Sequence, residues 1–325
     1  MRRFSSARFT KWISAATISA GALLLSVAPT EAVIQADVTV DYDATSGELP
    51  EGVAVDKRGD VFVGLAPLGE IRKIARDGSE STLATIIPPG AFPGVLGLAL
   101  DARGNVYAGA STGDAATTGI YKIARDGTFE RLPGSEVIAF PNGIAFDKRG
   151  NIYVTDTAVG LVWRIPARGG PPEIWFQSPL LQGDGSFGFP FPIGANGIAF
   201  RHNSLVVANS EGARLVRISI EPDGTAGAAT VLAEDPALSG ADGIAFDIHG
   251  NVWVAAIVQS TIVRVSPAGD VETIATSADG LDFASSIAFG KGTDLWVVNF
   301  AIGPPGGLGP ALLRFDAGAK GQPLP

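Results

Sequence analysis

Pro141-Asn142-Gly143-Ile144-Ala145-Phe146-Asp147-Lys148-Arg149-Gly150-Asn151-Ile152-Tyr153-Val154 decides the fold. Gly143 to Phe146 and Asn151 to Val154 are short runs rich in β-branched and aromatic residues, and Asp147 to Gly150 between them has the composition of a tight turn, so the stretch predicts a β-hairpin. Leu161 to Ile165 follows as a third strand, and Pro172 to Phe176 as a fourth after Arg168-Gly169-Gly170. The phrase returns as PEGVAVDKRGDVFV from Pro50, VLGLALDARGNVYA from Val95, ANGIAFRHNSLVVA from Ala195, ADGIAFDIHGNVWV from Ala241 and SSIAFGKGTDLWVV from Ser285. A unit of four antiparallel strands repeated at this spacing is a propeller blade, and six such units predict an all-β, six-bladed β-propeller.

The sixth unit runs out of chain after Leu312 to Phe315 without a fourth strand, whereas Asp37 to Tyr42 reads as a strand with no unit of its own. This segment is expected to complete the last blade, closing the ring and removing an exposed sheet edge. Ahead of it, residues 1–32 have the pattern of a secretory signal: Arg2, Arg3, Arg8 and Lys11, an apolar stretch near Ile13 to Val27, and Thr30-Glu31-Ala32 as a small-residue cleavage site. The expected organisation is therefore a leader over 1–32 and one propeller over 33–325, secreted or periplasmic. The uncharged run is short and interrupted for a membrane span, so no membrane association is expected after cleavage.

The chain has 24 basic and 33 acidic residues, and losing the leader takes the net charge from −9 to about −12. That balance argues against nucleic acid or an anionic membrane as partner. With no cysteine, disulfides, thiolate metal sites and a cysteine nucleophile are excluded.

Inner strands of a propeller line one central channel, so equivalent residues at their starts meet around it. Those residues are Glu51, Leu96, Asn142, Asn196, Asp242 and Ser285. Asn and Asp before Gly are also ordinary turn residues, and that reading stays open for each pair taken alone. Recurrence at one repeat position, with Glu51 joining in, points instead to a ring of oxygen ligands. Two carboxylates and two amides suit one hard divalent cation, calcium before magnesium, manganese or zinc. The histidines, His202 and His249, fall in the turns at the other end of the inner strands, away from the ring.

Asp156, Asn209 and Asn299 end second strands on the same face as the ring; each is a candidate for touching substrate or for capping a loop through local backbone. Ser178 to Gly194, an insertion containing Phe187, Phe189 and Phe191, is a candidate binding wall or a clamp between neighbouring blades. Ala301 to Pro310 is a Gly/Pro-rich loop of the last blade.

On these motifs the chain resembles the senescence-marker-protein/gluconolactonase family, which includes regucalcin and the bacterial sugar lactonases. The resemblance implies a six-bladed propeller holding one divalent metal through Glu51 of Pro-Glu-Gly, Asn142 of Pro-Asn-Gly, Asn196 of Ala-Asn-Gly and Asp242 of Ala-Asp-Gly. It implies a small-molecule lactone as substrate, opened by water, with Asp242 as general base. Glu51 is followed here by Gly-Val rather than the family's frequent Gly-Pro or Ser-Pro, and Leu96 brings no polar atom from blade two. The alternative is a non-enzymatic propeller: Gly143 to Thr157 is also similar to an NHL repeat, a family of binding scaffolds. A strictosidine-synthase-like propeller has no identifying residue in this sequence.

Overall fold

The computed structural model describes residues 36–303 and 307–323; the proposed leader lies outside them. Six four-stranded antiparallel sheets are arranged in chain order. In the third blade the strands are Pro141–Phe146, Ile152–Asp156, Leu161–Ile165 and Glu173–Gln177, with the outermost strand displaced by a residue from the expected Pro172 to Phe176. The last sheet joins Ala284–Phe289, Asp294–Asn299 and Ala311–Asp316 to Asp37–Asp41.

The recurrent Asp-x-x-Gly-Asn turn has a concrete cause. Asp147 Oδ1 accepts the backbone N–H of Arg149 at 2.8 Å and of Asn151 at 2.9 Å, while Asn151 Nδ2 donates to Asp147 Oδ2 at 2.8 Å. Gly150 supplies the left-handed corner at φ 83°, where a side chain is strained. Asp247 and Asn251 repeat the arrangement, and the buried Asp247 Oδ2 also accepts Trp253 Nε1–H at 3.2 Å. A carboxylate placed under the hairpin thus answers backbone donors that strand pairing leaves free.

Second strands are buried on both faces because each sheet packs between two others. Ile152, Tyr153 and Val154 are all buried, and Ile144, Ile152, Val154 and Ile165 form one cluster with Tyr107, Ile120 and Ile138 of blade two and the loop that follows it. Each such side chain contributes roughly 1.5–3 kcal/mol relative to exposure, so inter-blade contacts hold the ring.

Closure by the N-terminal strand is observed: Asp37 pairs with Arg314, Val38 with Leu313, Val40 with Leu312 and Asp41 with Ala311. Arg314 Nη2 also donates to Asp37 Oδ2 at 2.9 Å. Tyr42 lies just beyond the strand and is buried. Starting the protein at Tyr42 would strip these partners from Ala311–Asp316. With each ladder hydrogen bond worth about 1 kcal/mol net, the melting temperature should fall by on the order of 5–10 °C, read by thermal unfolding against a 33–325 protein. An unchanged melting temperature would refute a closing role for this strand.

At the end of the channel away from the ring, the C-terminal segment crosses the opening. Gln322 donates through its backbone N to the Phe246 carbonyl at 2.9 Å and through Nε2 to the Phe200 carbonyl at 2.8 Å, and its Oε1 accepts from Arg201 Nη1 at 2.8 Å. Between it and the ring lies an apolar cavity of about 190 Å³. The histidines occupy this far end as well, in the turns after Ala195–Arg201 and Ala241–Phe246.

Candidate metal and active site

The residues before the Gly-apolar-Ala step are not in turns. Asn142, Asn196 and Asp242 lie inside the inner strands Pro141–Phe146, Ala195–Arg201 and Ala241–Phe246, which overturns the turn-chemistry reading. Pairing with the second strand slips at these positions, between Pro141 and Ile144, Ala195 and Ile198, and Ala241 and Ile244. Bulges of this kind re-aim a side chain and interrupt the ladder. The glycines that follow do not adopt left-handed backbone; they are there for space. A Cβ on Gly197 would collide with the Asp242 carbonyl oxygen, and one on Gly143 would come within 2.5 Å of the Asn196 carbonyl oxygen. Each glycine therefore lets the next blade's ring residue approach the axis.

Hydroxyl groups tie the blades together at this level. Thr155 Oγ1 accepts Gly143 N–H at 2.8 Å and donates to the Asn196 carbonyl at 2.6 Å. Ser210 Oγ accepts Asn196 Nδ2–H at 3.1 Å and donates to the Ala241 carbonyl at 2.7 Å. Ser285 Oγ donates to the Glu51 carbonyl at 2.8 Å, joining the last blade to the first. Sequence reasoning missed Thr155 and Ser210, and it read Ser285 only as a ring position. A small hydroxyl residue at or just past the end of a second strand is the signal that was available.

Glu51, Asn142, Asn196 and Asp242 line one cavity of about 70 Å³ and are all buried. Its floor is an apolar ring of Val53, Leu98, Ile144, Ile198, Ile244 and Ile287, shared with the lower cavity. Among the described residues no lysine or arginine lines it. The two carboxylates consequently have no cationic partner, and burial pushes both well above the ordinary carboxylate range. The negative charge of Asp242 adds to the rise at Glu51, and the Asn196 side chain partly offsets the rise at Asp242.

Asn196 Oδ1 is buried with no hydrogen-bond partner. Such an acceptor costs roughly 1–3 kcal/mol unless something answers it. Its amide nitrogen is held by Ser210, which keeps the oxygen as the free end. An orphaned amide oxygen beside two uncompensated carboxylates fits a hard divalent cation. Among the described residues no group of three or more His, Cys, Asp or Glu gathers anywhere as a metal site, so any site here must draw on amide oxygens as well.

The secondary candidates are placed otherwise. Asp156 accepts the backbone N–H of Ala139 at 2.9 Å and Phe140 at 3.1 Å, and Trp163 Nε1–H at 3.2 Å. Asn209 Nδ2 donates to the Leu180 and Gln182 carbonyls, both at 2.9 Å, and Asn299 Nδ2 to the Gly280 carbonyl at 2.9 Å. Of the two roles open to these residues, loop capping is the one their hydrogen bonds occupy. Phe187 and Phe189 do not line the oxygen cavity. Their insertion is pinned by Glu211, whose carboxylate accepts Gly185 N–H at 2.6 Å and Phe187 N–H at 3.2 Å, and Phe191 packs on Phe140 of the preceding blade at 5.1 Å. The insertion thus clamps blades three and four, while Phe189 remains half exposed.

Residues 193–300 match the family described as SMP-30/Gluconolactonase/LRE-like region, and residues 131–155 match a beta-propeller repeat. The resemblance drawn from the motifs therefore holds over the stretch carrying Asn196, Asp242 and Ser285. No curated protein matches the chain. Among solved structures, similar ones include a virginiamycin B lyase from Staphylococcus aureus, with TM-score 0.54 and 22% identity over 82% of this chain and 81% of that one. A gluconolactonase from Xanthomonas campestris has TM-score 0.62 and 19% identity over 92% and 99%. A calcium-binding protein, regucalcin, from Agrobacterium tumefaciens has TM-score 0.64 and 15% identity over 90% and 96%. At these identities the likeness establishes the shared fold, and choosing among such chemistries falls to the residues of the site.

Proposed function

We propose that the chain is an exported, divalent-metal-dependent hydrolase of lactones or related esters, with Glu51, Asn142, Asn196 and Asp242 holding the ion. The observation that carries this reading is the buried Asn196 Oδ1 without a partner, in one small cavity with two carboxylates that no cationic side chain answers. Calcium is the proposed ion. A cation bound there would polarise the ester carbonyl and stabilise the negative charge developing on its oxygen.

The protein's own groups divide the remaining work. Glu51, behind a fixed backbone tied to Ser285, supplies charge and geometry. Asn142 and Asn196 offer amide oxygens without adding charge, and Ser210 orients the second of them. Asp242 Oδ takes the proton of the attacking water. The carbon–oxygen bond to the leaving alkoxide then breaks, and the alkoxide is reprotonated to give a hydroxy acid. The apolar floor formed by Val53, Ile144 and Ile244 limits water below the reacting carbonyl.

Metal analysis of purified 33–325 protein, paired with a hydrolysis screen over lactones and aryl esters with and without chelator, tests the reading. Chelator-sensitive turnover with one bound ion per chain is expected. If the fully metallated protein turns over none of these substrates, the scaffold reading replaces this one. Export is checked by N-terminal sequencing of protein recovered outside the cytoplasm, expected to begin at Val33.

A further inference from the structure

Antiparallel topology assigns every connection to one end of the channel or the other. The ring end receives the links into each inner strand and the links from second to third strands; the far end receives the remaining turns. Among the described residues, none of the ring-end connections contains a lysine or arginine. Those of the far end are rich in them, as in Arg58, Arg76, Arg103, Arg125, Arg149 and Lys291. The two guanidinium groups nearest the ring end reach it from strand ends and are engaged by its loop carbonyls. Arg131 donates to the Ala115, Ala116 and Thr118 carbonyls, and Arg214 donates to the Gly212 carbonyl and pairs with Glu234 at 3.6 Å.

The ring end is also where apolar side chains stand in water. Phe92 is 67% exposed, Val137 54% and Phe189 50%, with Val159, Val258 and Ile302 in other connections of the same end. Among the described residues, Ile248 alone of the exposed large apolar side chains occupies a far-end turn; the others sit mostly in outer strands. Acidic residues of the ring end are largely occupied as turn caps: Asp235 accepts Ala237 N–H at 2.8 Å, and Asp279 accepts Thr276 N–H at 2.8 Å. They leave the face negative without presenting a cation to any ligand.

We propose that the site selects uncharged lactones or esters carrying an apolar substituent and discriminates against anionic ones. This rests on the hydrolase reading above and names its substrate class. The 70 Å³ cavity admits a carbonyl and its immediate neighbours, so a larger substituent must extend out toward the ring-end connections, which carry Phe189, Phe92 and other exposed apolar side chains. An anionic substituent would meet connections that carry carboxylates and, among the described residues, no lysine or arginine of their own. Hydrolysis adds water across the carbon–oxygen bond and releases a hydroxy acid, which ionises to a carboxylate and a proton.

The test compares kcat/KM for a γ-lactone bearing a hexyl chain, for glucono-δ-lactone, and for a γ-lactone of matched length ending in a carboxylate. The alkyl lactone is expected to lead the carboxylated one by about tenfold or more at low salt. Val159→Lys and Val258→Lys, both at exposed positions, should each narrow that gap by about two- to fivefold, and less at high salt. Phe189→Ser should raise KM for the alkyl lactone alone. Equal turnover of the carboxylated and alkyl lactones, or no response to either lysine, would overturn the proposal. If no lactone or ester is hydrolysed, the hydrolase reading fails by itself; calorimetric binding of the hexyl and carboxylated lactams, which need no turnover, then decides the selectivity separately, equal affinities refuting it.

Discussion

Asp242→Asn is expected to lower lactone turnover by about 100- to 10,000-fold while leaving the fold intact. The substitution preserves size and one candidate ligating oxygen, and it leaves the Asp242 carbonyl that Gly197 accommodates unchanged. What it removes is the group proposed to accept the proton of water. It also removes a buried negative charge next to Glu51, which burial already disfavours. The metal-free variant should therefore melt at or above the temperature of metal-free wild type, because a neutral amide avoids the desolvation cost of a carboxylate. A weaker hold on the cation is the other route to lost activity, so metal content is measured beside turnover. Near-wild-type activity with the ion retained would remove Asp242 from the role of base. A large drop in metal-free stability would instead make it a structural residue.

The blade pattern was legible because each blade solves the same problem with the same local chemistry. Asp147 and Asn151 satisfy the hairpin backbone, and Asp101 with Asn105 and Asp247 with Asn251 do so again. Repetition then carried the reading from fold to site, since equivalent positions of a ring must meet. Less legible was why Gly follows Asn or Asp. In one dimension Asn-Gly reads as a turn, whereas Gly143 and Gly197 answer a steric demand made by a blade more than forty residues away. The hydroxyl bridges of Thr155, Ser210 and Ser285 escaped for the same reason: their partners are backbone carbonyls of the next blade, which have no residue signature. Asp156, Asn209 and Asn299 show the converse limit. Oxygen-bearing residues on the right face need not face the site, and theirs are engaged by loop backbone. The absence of lysine and arginine from the described ring-end connections was present in the sequence too, but it emerges only after each loop is assigned to an end.

In the absence of divalent cations the protein should lose stability as pH rises, the reverse of what paired surface carboxylates produce. Burial raises the folded-state pKa of Glu51 and Asp242, with the Asp242 charge adding to the rise at Glu51. In the unfolded chain both titrate near 4. Between those values the native state binds more protons than the unfolded state, so unfolding free energy falls with increasing pH, by about 1.4 kcal/mol per pH unit for each proton of difference. The contribution is greatest at the acid side of the window and is lost as pH climbs through the raised folded values. Exposed carboxylates such as Asp77 and Asp126, held low by Ser79 and Thr128 hydroxyls, act oppositely only below the ordinary carboxylate range, which leaves pH 5 to 8 to the buried pair. Saturating calcium should abolish the slope, because the cation stabilises the ionised pair and competes with protons for it. The rise in melting temperature on adding calcium should accordingly be small near pH 5 and large near pH 8. Thermal melts in chelator and in calcium across that range read both trends, with Glu51→Gln/Asp242→Asn as the double variant that should flatten the chelated curve. A chelated wild type whose melting temperature is level from pH 5 to 8, or a calcium shift indifferent to pH, would mean that Glu51 and Asp242 are not the carboxylates that the ion meets.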